Sequence, residues 1–158
     1  MLQHPYPPLW NADSKVLILG SFPSVKSREQ MFFYGHPQNR FWKLLALLYS
    51  ETAPQTVEEK KLLVLGHGLA LWDSIASCEI KGSSDASITD VVPTDLKPIL
   101  EGSRIERIYC NGTRSYDVYC KYQLPVLGIE AVKLPSTSPA NAAWSMERLA
   151  EAWKVIVE

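Results

Sequence analysis

The sequence predicts an α/β protein in which helices cover both faces of a four-stranded parallel sheet. Short apolar runs of strand length alternate along the chain with longer segments of helical character, which is the order of βα units. The segment Lys15–Gly20 carries a continuous apolar run ended by glycine, as in strands buried on both faces. With 158 residues, 46% of them apolar, the chain is long enough to bury one core and too apolar to be disordered. We therefore expect one domain over residues 1–158.

An arm and a helix are predicted on either side of this first strand. Prolines crowd the first eight residues, which favours an extended arm packed on the surface. After the strand, apolar residues at helical spacing predict a helix from about Arg40 to Tyr49. Its predicted buried stripe comprises Phe41, Leu44, Leu45 and Leu48.

The middle of the chain is predicted to hold a helix, a strand and a long loop. Thr56 and Glu59 have the spacing of a capping box, and Gly66 is expected to end the helix that they begin. The apolar run Leu69–Trp72 is the second strand candidate. The polar stretch from Asp73 to Asp90 is predicted to be a long loop, a kind of segment that is usually functional or mobile in compact domains.

Two further strands are predicted in the remainder of the chain. Thr94 is expected to cap a short helix that ends at Gly102, and Ile105–Cys110 is the third strand. A helix near Tyr116–Tyr122 then leads to the fourth strand, Glu130–Leu134. For the last helix, Ser138 is the expected N-cap and Pro139 the first helical residue. The predicted apolar stripe of that helix is Met146, Leu149, Trp153 and Ile156.

Composition limits the classes of function. Sixteen basic and seventeen acidic residues give a net charge of −1. This net charge does not by itself predict binding to nucleic acid, but a local basic groove would be enough for it. No apolar run is long enough to span a membrane, and the first residues do not resemble a signal peptide, so a cytoplasmic protein is expected. The three cysteines are too scattered for a zinc or iron–sulfur site and are interpreted as core or surface thiols.

Polar segments follow three of the predicted strands, where open α/β sheets bind their ligands. They are Gly20–Asn39, Asn111–Arg114 and Pro135–Asn141. The first strand is followed by neither a dinucleotide nor a triphosphate motif, and the chain has no nucleophile elbow. These segments are rich in amides, aromatics and hydroxyls, which read base edges, stack on bases and hold phosphates. Asp73, Asp85 and Asp90 are interpreted as solvated loop or capping residues.

Three motifs carry a resemblance to a known family: GSFPS at 20–24, FYGHPQNRFW at 33–42 and LPSTSPAN at 134–141. The sequence resembles the uracil-DNA glycosylase superfamily and, within it, the family-six hypoxanthine (deoxyinosine) DNA glycosylases. Its HPxNRFW pattern is shared with the mismatch-specific uracil glycosylases. The resemblance implies a three-layer α/β/α sandwich around a four-stranded parallel sheet. It also implies a monofunctional, monomeric enzyme that hydrolyses the N-glycosidic bond of deaminated bases in DNA without a metal or organic cofactor.

The resemblance also implies roles for the motif residues. Asn39 would be the catalytic group, its amide oxygen orienting a water, with plain helix capping as the alternative. Tyr34, together with Phe22, would stack on the flipped base, with core packing as the alternative. Asn111 would read the base edge or merely end its strand in an Asn-Gly turn. The loop residues expected to contact the DNA backbone are Ser136, Thr137, Ser138 and Asn141.

Departures from the family pattern keep other functions open. Phe22 stands where the uracil-specific relatives carry a catalytic carboxylate or amide, so this loop lacks a water-activating group and a slow enzyme is expected. The competing interpretations are a uracil or thymine mismatch glycosylase, a DNA-binding relative that has lost catalysis, and a small-molecule binder of flavodoxin type. His36 is interpreted as structural.

Overall fold

In the computed structural model, which describes residues 1–158, the chain forms seven strands, β1 to β7, and seven α-helices, α1 to α7. The strands are Leu2–Gln3, Val16–Gly20, Leu69–Asp73, Ile75–Glu79, Thr89–Pro93, Arg107–Asn111 and Ala131–Leu134. The helices are Val25–Gln30, Phe41–Leu48, Val57–Gly66, Lys97–Gly102, Thr113–Val118, Leu124–Leu127 and Met146–Trp153. A π-helical turn, Tyr119–Gln123, joins α5 to α6. None of the helices is both long and apolar enough to cross a membrane.

The larger sheet is parallel and has the strand order β3-β2-β6-β7. Alternate residues of β2 enter two separate cores, because helices pack on both faces. Val16 and Ile18 join the core built with α2, α3 and α7, whereas Leu17 and Leu19 join the core built with α4 and the α5–α6 region. The predicted four-stranded parallel sheet with helices on both faces is confirmed.

Strand register sets which residues meet at the carboxyl edge of this sheet. Gly20 at the end of β2 lies level with Asp73 at the end of β3. Asn111 at the end of β6 lies level with Leu134 at the end of β7. The segments that follow these strands are therefore held side by side, as expected for a ligand-binding edge.

The prediction of a long loop over Asp73–Asp90 is wrong. The stretch contains all of β4 and the beginning of β5, which pair antiparallel, and β1 from the N-terminal arm adds a third strand. The pairing with β5 contains register irregularities, so the sequence shows no regular alternation of apolar and polar residues. This small sheet covers a third apolar cluster, formed by Phe22, Ile75, Cys78, Ile88 and Val118.

The predicted start of the last helix is also wrong. Ser138 and Pro139 lie in a turn, and α7 begins at Met146 after the N-cap Ser145, whose hydroxyl accepts from the backbone N–H of Arg148. The predicted stripe is nevertheless on the packed face, since Leu149, Trp153 and Ile156 are buried and Met146 packs against them. Several hydroxyl residues precede this helix, and a capping preference alone does not distinguish among them.

Of the two predicted threonine N-caps, one is confirmed and the other is wrong. Thr56 accepts from the backbone N–H of Glu59 at 3.1 Å, so the predicted start of α3 is confirmed. Thr94 does not cap α4, because its hydroxyl donates to the Asp73 carbonyl at 2.8 Å. Asp95 accepts from the N–H of Lys97 instead, and Thr94 ties α4 to the end of β3.

The packing of α7 leads to a prediction about stability. Leu149 is fully buried, so Leu149→Ala is expected to lower the free energy of unfolding by about 2–5 kcal/mol through lost contacts and a cavity. Leu62→Ala is the control, since Leu62 is 74% exposed and its truncation should change stability by about 0.5 kcal/mol or less. Urea denaturation of both variants measures the difference, and similar losses would contradict the assignment of the core face of α7.

Candidate functional site

A cavity of about 320 Å³ opens at the carboxyl edge of the parallel sheet. Its walls come from the segment after β2, the ends of β3 and β6, and the loop after β7. All of the predicted site residues except Asn141 line it: Phe22, Tyr34, Asn39, Asn111, Ser136, Thr137 and Ser138. Asn141 lines a neighbouring depression of about 500 Å³ on the other side of the same loop. The structure thus brings together residues separated by more than 100 positions in the chain.

A chain of hydrogen bonds joins three of these residues. The Asn111 Nδ2 donates to Thr137 Oγ1 at 3.0 Å, and the Thr137 hydroxyl donates to Asn39 Oδ1 at 2.8 Å. Thr137 is completely buried, so this chain is shielded from solvent at its centre. Its hydroxyl hydrogen is engaged within the protein, and a contact between Thr137 and the DNA backbone stays a prediction.

Two backbone N–H groups fix the direction of every bond in this chain. The N–H of Thr137 donates to Asn111 Oδ1 at 3.1 Å, so the other end of that amide must be its NH₂ group. The N–H of Phe41 donates to Asn39 Oδ1 at 3.0 Å, so that atom must be the oxygen. Asn39 Oδ1 then accepts two hydrogen bonds and is saturated. The free end of the Asn39 amide is therefore Nδ2, a donor.

The loop after β7 is held by its own hydroxyls and by Arg40. Ser136 Oγ accepts from the N–H of Ser138, and Ser138 Oγ accepts from the N–H of Ala140. Asn141 Nδ2 donates to the Ser136 carbonyl at 3.0 Å. The Arg40 guanidinium donates to the carbonyls of Ser138, Asn141 and Trp144. This loop forms the wall between the two depressions, with a shape set by the start of α2.

Tyr34 occupies a strained, half-buried position in the cavity wall. Its φ of 52° is in the left-handed region, which is uncommon for a residue with a bulky side chain. One face of its ring stacks on Phe41 with a centroid distance of 4.0 Å. Its Oη is buried and has no hydrogen-bond partner. Burial raises the pKa of this phenol far above its ordinary value, so the group stays protonated and able to donate.

Asp73 belongs to the site although the sequence interpretation placed it in a solvated loop. It ends β3, lines the cavity, and is only 4% exposed. Its Oδ2 pairs with His4 Nε2 at 2.6 Å, and both side chains are buried. The sequence did contain a signal for this placement, namely the apolar run Leu69–Trp72 directly before Asp73. A residue at the end of a buried parallel strand lies at the ligand-binding edge of the sheet. His4 carried no such signal, since the pairing spans 69 positions.

The other residues considered from the sequence lie in an apolar cluster, in a local turn or in the core. Phe22 is buried in the third apolar cluster and also reaches the cavity wall. The His36 Nδ1 accepts from the N–H of Gln38 at 3.1 Å, a local turn contact consistent with a structural role. Cys110 is a core thiol, and burial raises its pKa to about 12. No group of three or more His, Cys, Asp or Glu side chains is arranged to hold a metal ion.

Comparisons with known proteins agree with this geometry. The family model described as the uracil DNA glycosylase superfamily matches residues 7–157. A hypoxanthine DNA glycosylase from Methanosarcina acetivorans is 32% identical over 157 residues, covering 99% of this chain and 98% of that protein. One from Methanosarcina barkeri is 28% identical over 145 residues, with 89% of each chain covered. The solution NMR structure of a candidate uracil DNA glycosylase from Methanosarcina acetivorans superimposes with a TM-score of 0.84 at 30% identity, covering 99% and 97% of the two chains.

The contacts of Arg40 lead to a prediction about the loop after β7. Arg40→Gln removes the fork of donors that holds three loop carbonyls, so the amides of residues 136–144 are expected to exchange with solvent at least about 10-fold faster. Arg104→Gln is a suitable control, because its side chain makes no hydrogen bond in the structure. Hydrogen-exchange mass spectrometry measures the effect, and unchanged exchange in this loop would show that Arg40 does not hold it.

Proposed function

The chain belongs to the uracil-DNA glycosylase superfamily, and on that basis we propose that it removes deaminated bases from DNA, hypoxanthine foremost. The reaction is hydrolysis of the N-glycosidic bond: a water oxygen bonds to C1′ of the sugar as the bond from C1′ to the base breaks. Residues 1–158 act as one monomeric domain, and the reaction requires only water and polar side chains. The observation that carries the proposal is the cavity at the sheet edge with its oriented chain of amides and hydroxyl.

The shape of the site suits a nucleotide that has left the base stack. A target inside a duplex cannot reach a walled cavity, so the nucleotide must be extruded, which costs a few kcal/mol. The base enters first and meets the deepest groups, whereas the sugar and phosphates remain near the mouth. Phe22 and Tyr34 supply the aromatic contacts to the base. The hydroxyls of Ser136 and Ser138 lie beside the mouth, on the loop between the two depressions.

Asn39 acts through the hydrogens of its Nδ2. Its oxygen is saturated by Phe41 N–H and the Thr137 hydroxyl, so it cannot also accept from a water. A donor at this place stabilises electron density that accumulates on the departing base, as preorganised donors do at other developing anions. The orienting function of the amide oxygen that the resemblance suggests is thus replaced by donation from the nitrogen.

Asn111 and Thr137 serve as positioning residues for Asn39. The backbone N–H of Thr137 fixes the orientation of the Asn111 amide, and the Asn111 amide in turn fixes the Thr137 hydroxyl that donates to Asn39. The free Nδ2 of Asn39 is therefore held in one orientation before substrate binds. A fixed donor needs no reorganisation during the reaction. Asn111 still has one amide hydrogen and one lone pair, which leaves it able to contact the base as well.

The direct test uses labelled duplexes that contain hypoxanthine, uracil or xanthine. After incubation with the protein, abasic sites are scored by alkaline strand cleavage. Hypoxanthine release faster than uracil release supports the proposal. Faster release of uracil would favour the mismatch-type uracil enzymes, and duplex binding without abasic sites would favour a DNA-binding relative that has lost catalysis.

Substitution of Asn39 tests the direction of its hydrogen bond. Asn39→Ala is expected to lower the single-turnover rate of base release by about 10²-fold, the effect of removing one well-placed donor, with little loss of duplex binding. Asn39→Asp keeps an oxygen for Phe41 and Thr137 but turns the free donor into an acceptor, so a similar loss is expected. Asn11→Ala, in the exposed turn before β2, is the control. An active Asn39→Asp variant would show that this position orients water instead.

The two serines of the loop after β7 lead to a second prediction. Each hydroxyl oxygen accepts from a backbone N–H, which leaves its hydrogen free for a phosphate oxygen. Replacing Ser136 and Ser138 together by Ala is expected to slow base release from duplex DNA about 10-fold and from single-stranded DNA less, because single strands avoid the unstacking cost. Thr52→Ala, an exposed hydroxyl far from the site, is the control. Equal losses on both substrates would place the effect on chemistry or folding.

A further inference from the structure

One unsatisfied buried polar atom lies in the wall of the cavity, and another belongs to the histidine that pairs with a cavity residue. Only three buried side-chain nitrogen or oxygen atoms in the protein lack a hydrogen-bond partner: His4 Nδ1, Tyr34 Oη and Gln123 Oε1. The first belongs to the side chain paired with Asp73, and the second lines the cavity itself. A buried hydroxyl without a partner is costly, so its place in a binding cavity points to a partner supplied by the ligand.

Asp73 offers that ligand a single acceptor. Its Oδ2 is bonded to His4 Nε2, whereas its Oδ1 has no hydrogen bond within the protein and faces the side of β2. His4 Nε2 donates to this carboxylate at 2.6 Å, since a carboxylate oxygen can only accept. The rings of Tyr6 and Trp72 pack on the imidazole with centroid distances of 4.7 and 4.2 Å, which fixes its orientation.

Gly20 has no side chain, which lets Asp73 Oδ1 and Tyr34 Oη both approach the end of β2 closely. A Cβ at this residue would clash with Asp73 Oδ1 and would lie 3.2 Å from Tyr34 Oη. One acceptor and one donor therefore flank the same small volume at the end of β2. Asp73 is 4% exposed and Tyr34 Oη is buried, and both residues line the cavity.

We propose that Asp73 and Tyr34 read the lactam edge that deamination creates on a base. In hypoxanthine, N1–H would donate to Asp73 Oδ1, and O6 would accept from Tyr34 Oη. Adenine presents the opposite pattern, an acceptor at N1 and an amino donor at position 6, so its N1 lone pair would face the carboxylate. Tyr34 thereby contacts the edge of the base, and Phe22 is left to contact its face. This inference rests on the proposed glycosylase function.

The pairing with His4 also limits what the carboxylate can accept. Guanine shares N1–H and O6 with hypoxanthine but adds an amino group at position 2. A free carboxylate could accept from both nitrogens of guanine at once. Here one lone pair of Oδ2 is already bonded to His4, so this oxygen is a poorer partner for the guanine amino group than a free carboxylate oxygen would be. His4 is thus a positioning residue that makes Asp73 selective for one donor.

The experiment compares two bases in the same duplex, hypoxanthine and unsubstituted purine, which lacks both N1–H and O6. Single-turnover rates of release give a preference ratio for the wild type, Asp73→Asn and Tyr34→Phe. Each variant is expected to lower this ratio about 10-fold or more, because each removes one hydrogen bond that only hypoxanthine can make. The ratio is internal to each protein, so a partly misfolded variant does not bias it.

Matched controls and a second measurement separate recognition from structure. Asp13→Asn and Tyr49→Phe, both remote from the cavity, should leave the ratio unchanged. Tyr34→Phe removes a buried hydroxyl without a partner, so its Tm is expected to equal or exceed that of the wild type, and this variant tests the inference even if Asp73→Asn fails to fold. Equal losses on both bases would overturn the inference while leaving the glycosylase function intact. A wild-type protein that releases neither base would contradict that function itself.

Discussion

The buried hydroxyl of Thr137 is the contact on which the arrangement of the site depends. It accepts from Asn111 at the end of β6 and donates to Asn39 before α2, so one oxygen ties together three separate segments. A hydroxyl suits this place because it can accept and donate at once, which neither a methyl nor an amide oxygen can do. Because backbone N–H groups close both ends of the chain, the sheet and α2 determine which atom Asn39 presents to the cavity.

The distribution of charge in the cavity differs from that of a site built around a water-activating carboxylate. Phe22 occupies the loop position where such a group would stand, and it packs into an apolar cluster. The carboxylate of Asp73 approaches instead from the neighbouring strand, where it pairs with His4, and the His4 imidazole packs against Tyr6 and Trp72. At this depth it meets the base before the sugar. In the proposed complex, Asp73 contacts the edge of the base and Asn39 donates from a different segment of the cavity wall.

The parallel sheet and most of the site could be predicted because both follow from local patterns and one topological rule. Continuous apolar runs identify β2 and β3, and the ends of parallel strands must share one edge, which brings Tyr34, Asn39 and Asn111 together. The small antiparallel sheet was missed because its irregular pairing leaves no period in the sequence. The Asp73–His4 pair was missed because no local pattern links a strand end to an arm 69 positions away.

Two unfavourable features of Tyr34, its backbone conformation and its unpartnered hydroxyl, carry information about function. Tyr34 holds a left-handed backbone, worth about 1–3 kcal/mol of strain, and buries a hydroxyl without a partner at a similar cost. A phenylalanine would remove the second cost and still stack on Phe41. No hydrogen bond within the folded protein satisfies this hydroxyl. A ligand that accepts its hydrogen bond does explain it, and the adjacent acceptor of Asp73 then specifies a ligand with a carbonyl beside an N–H.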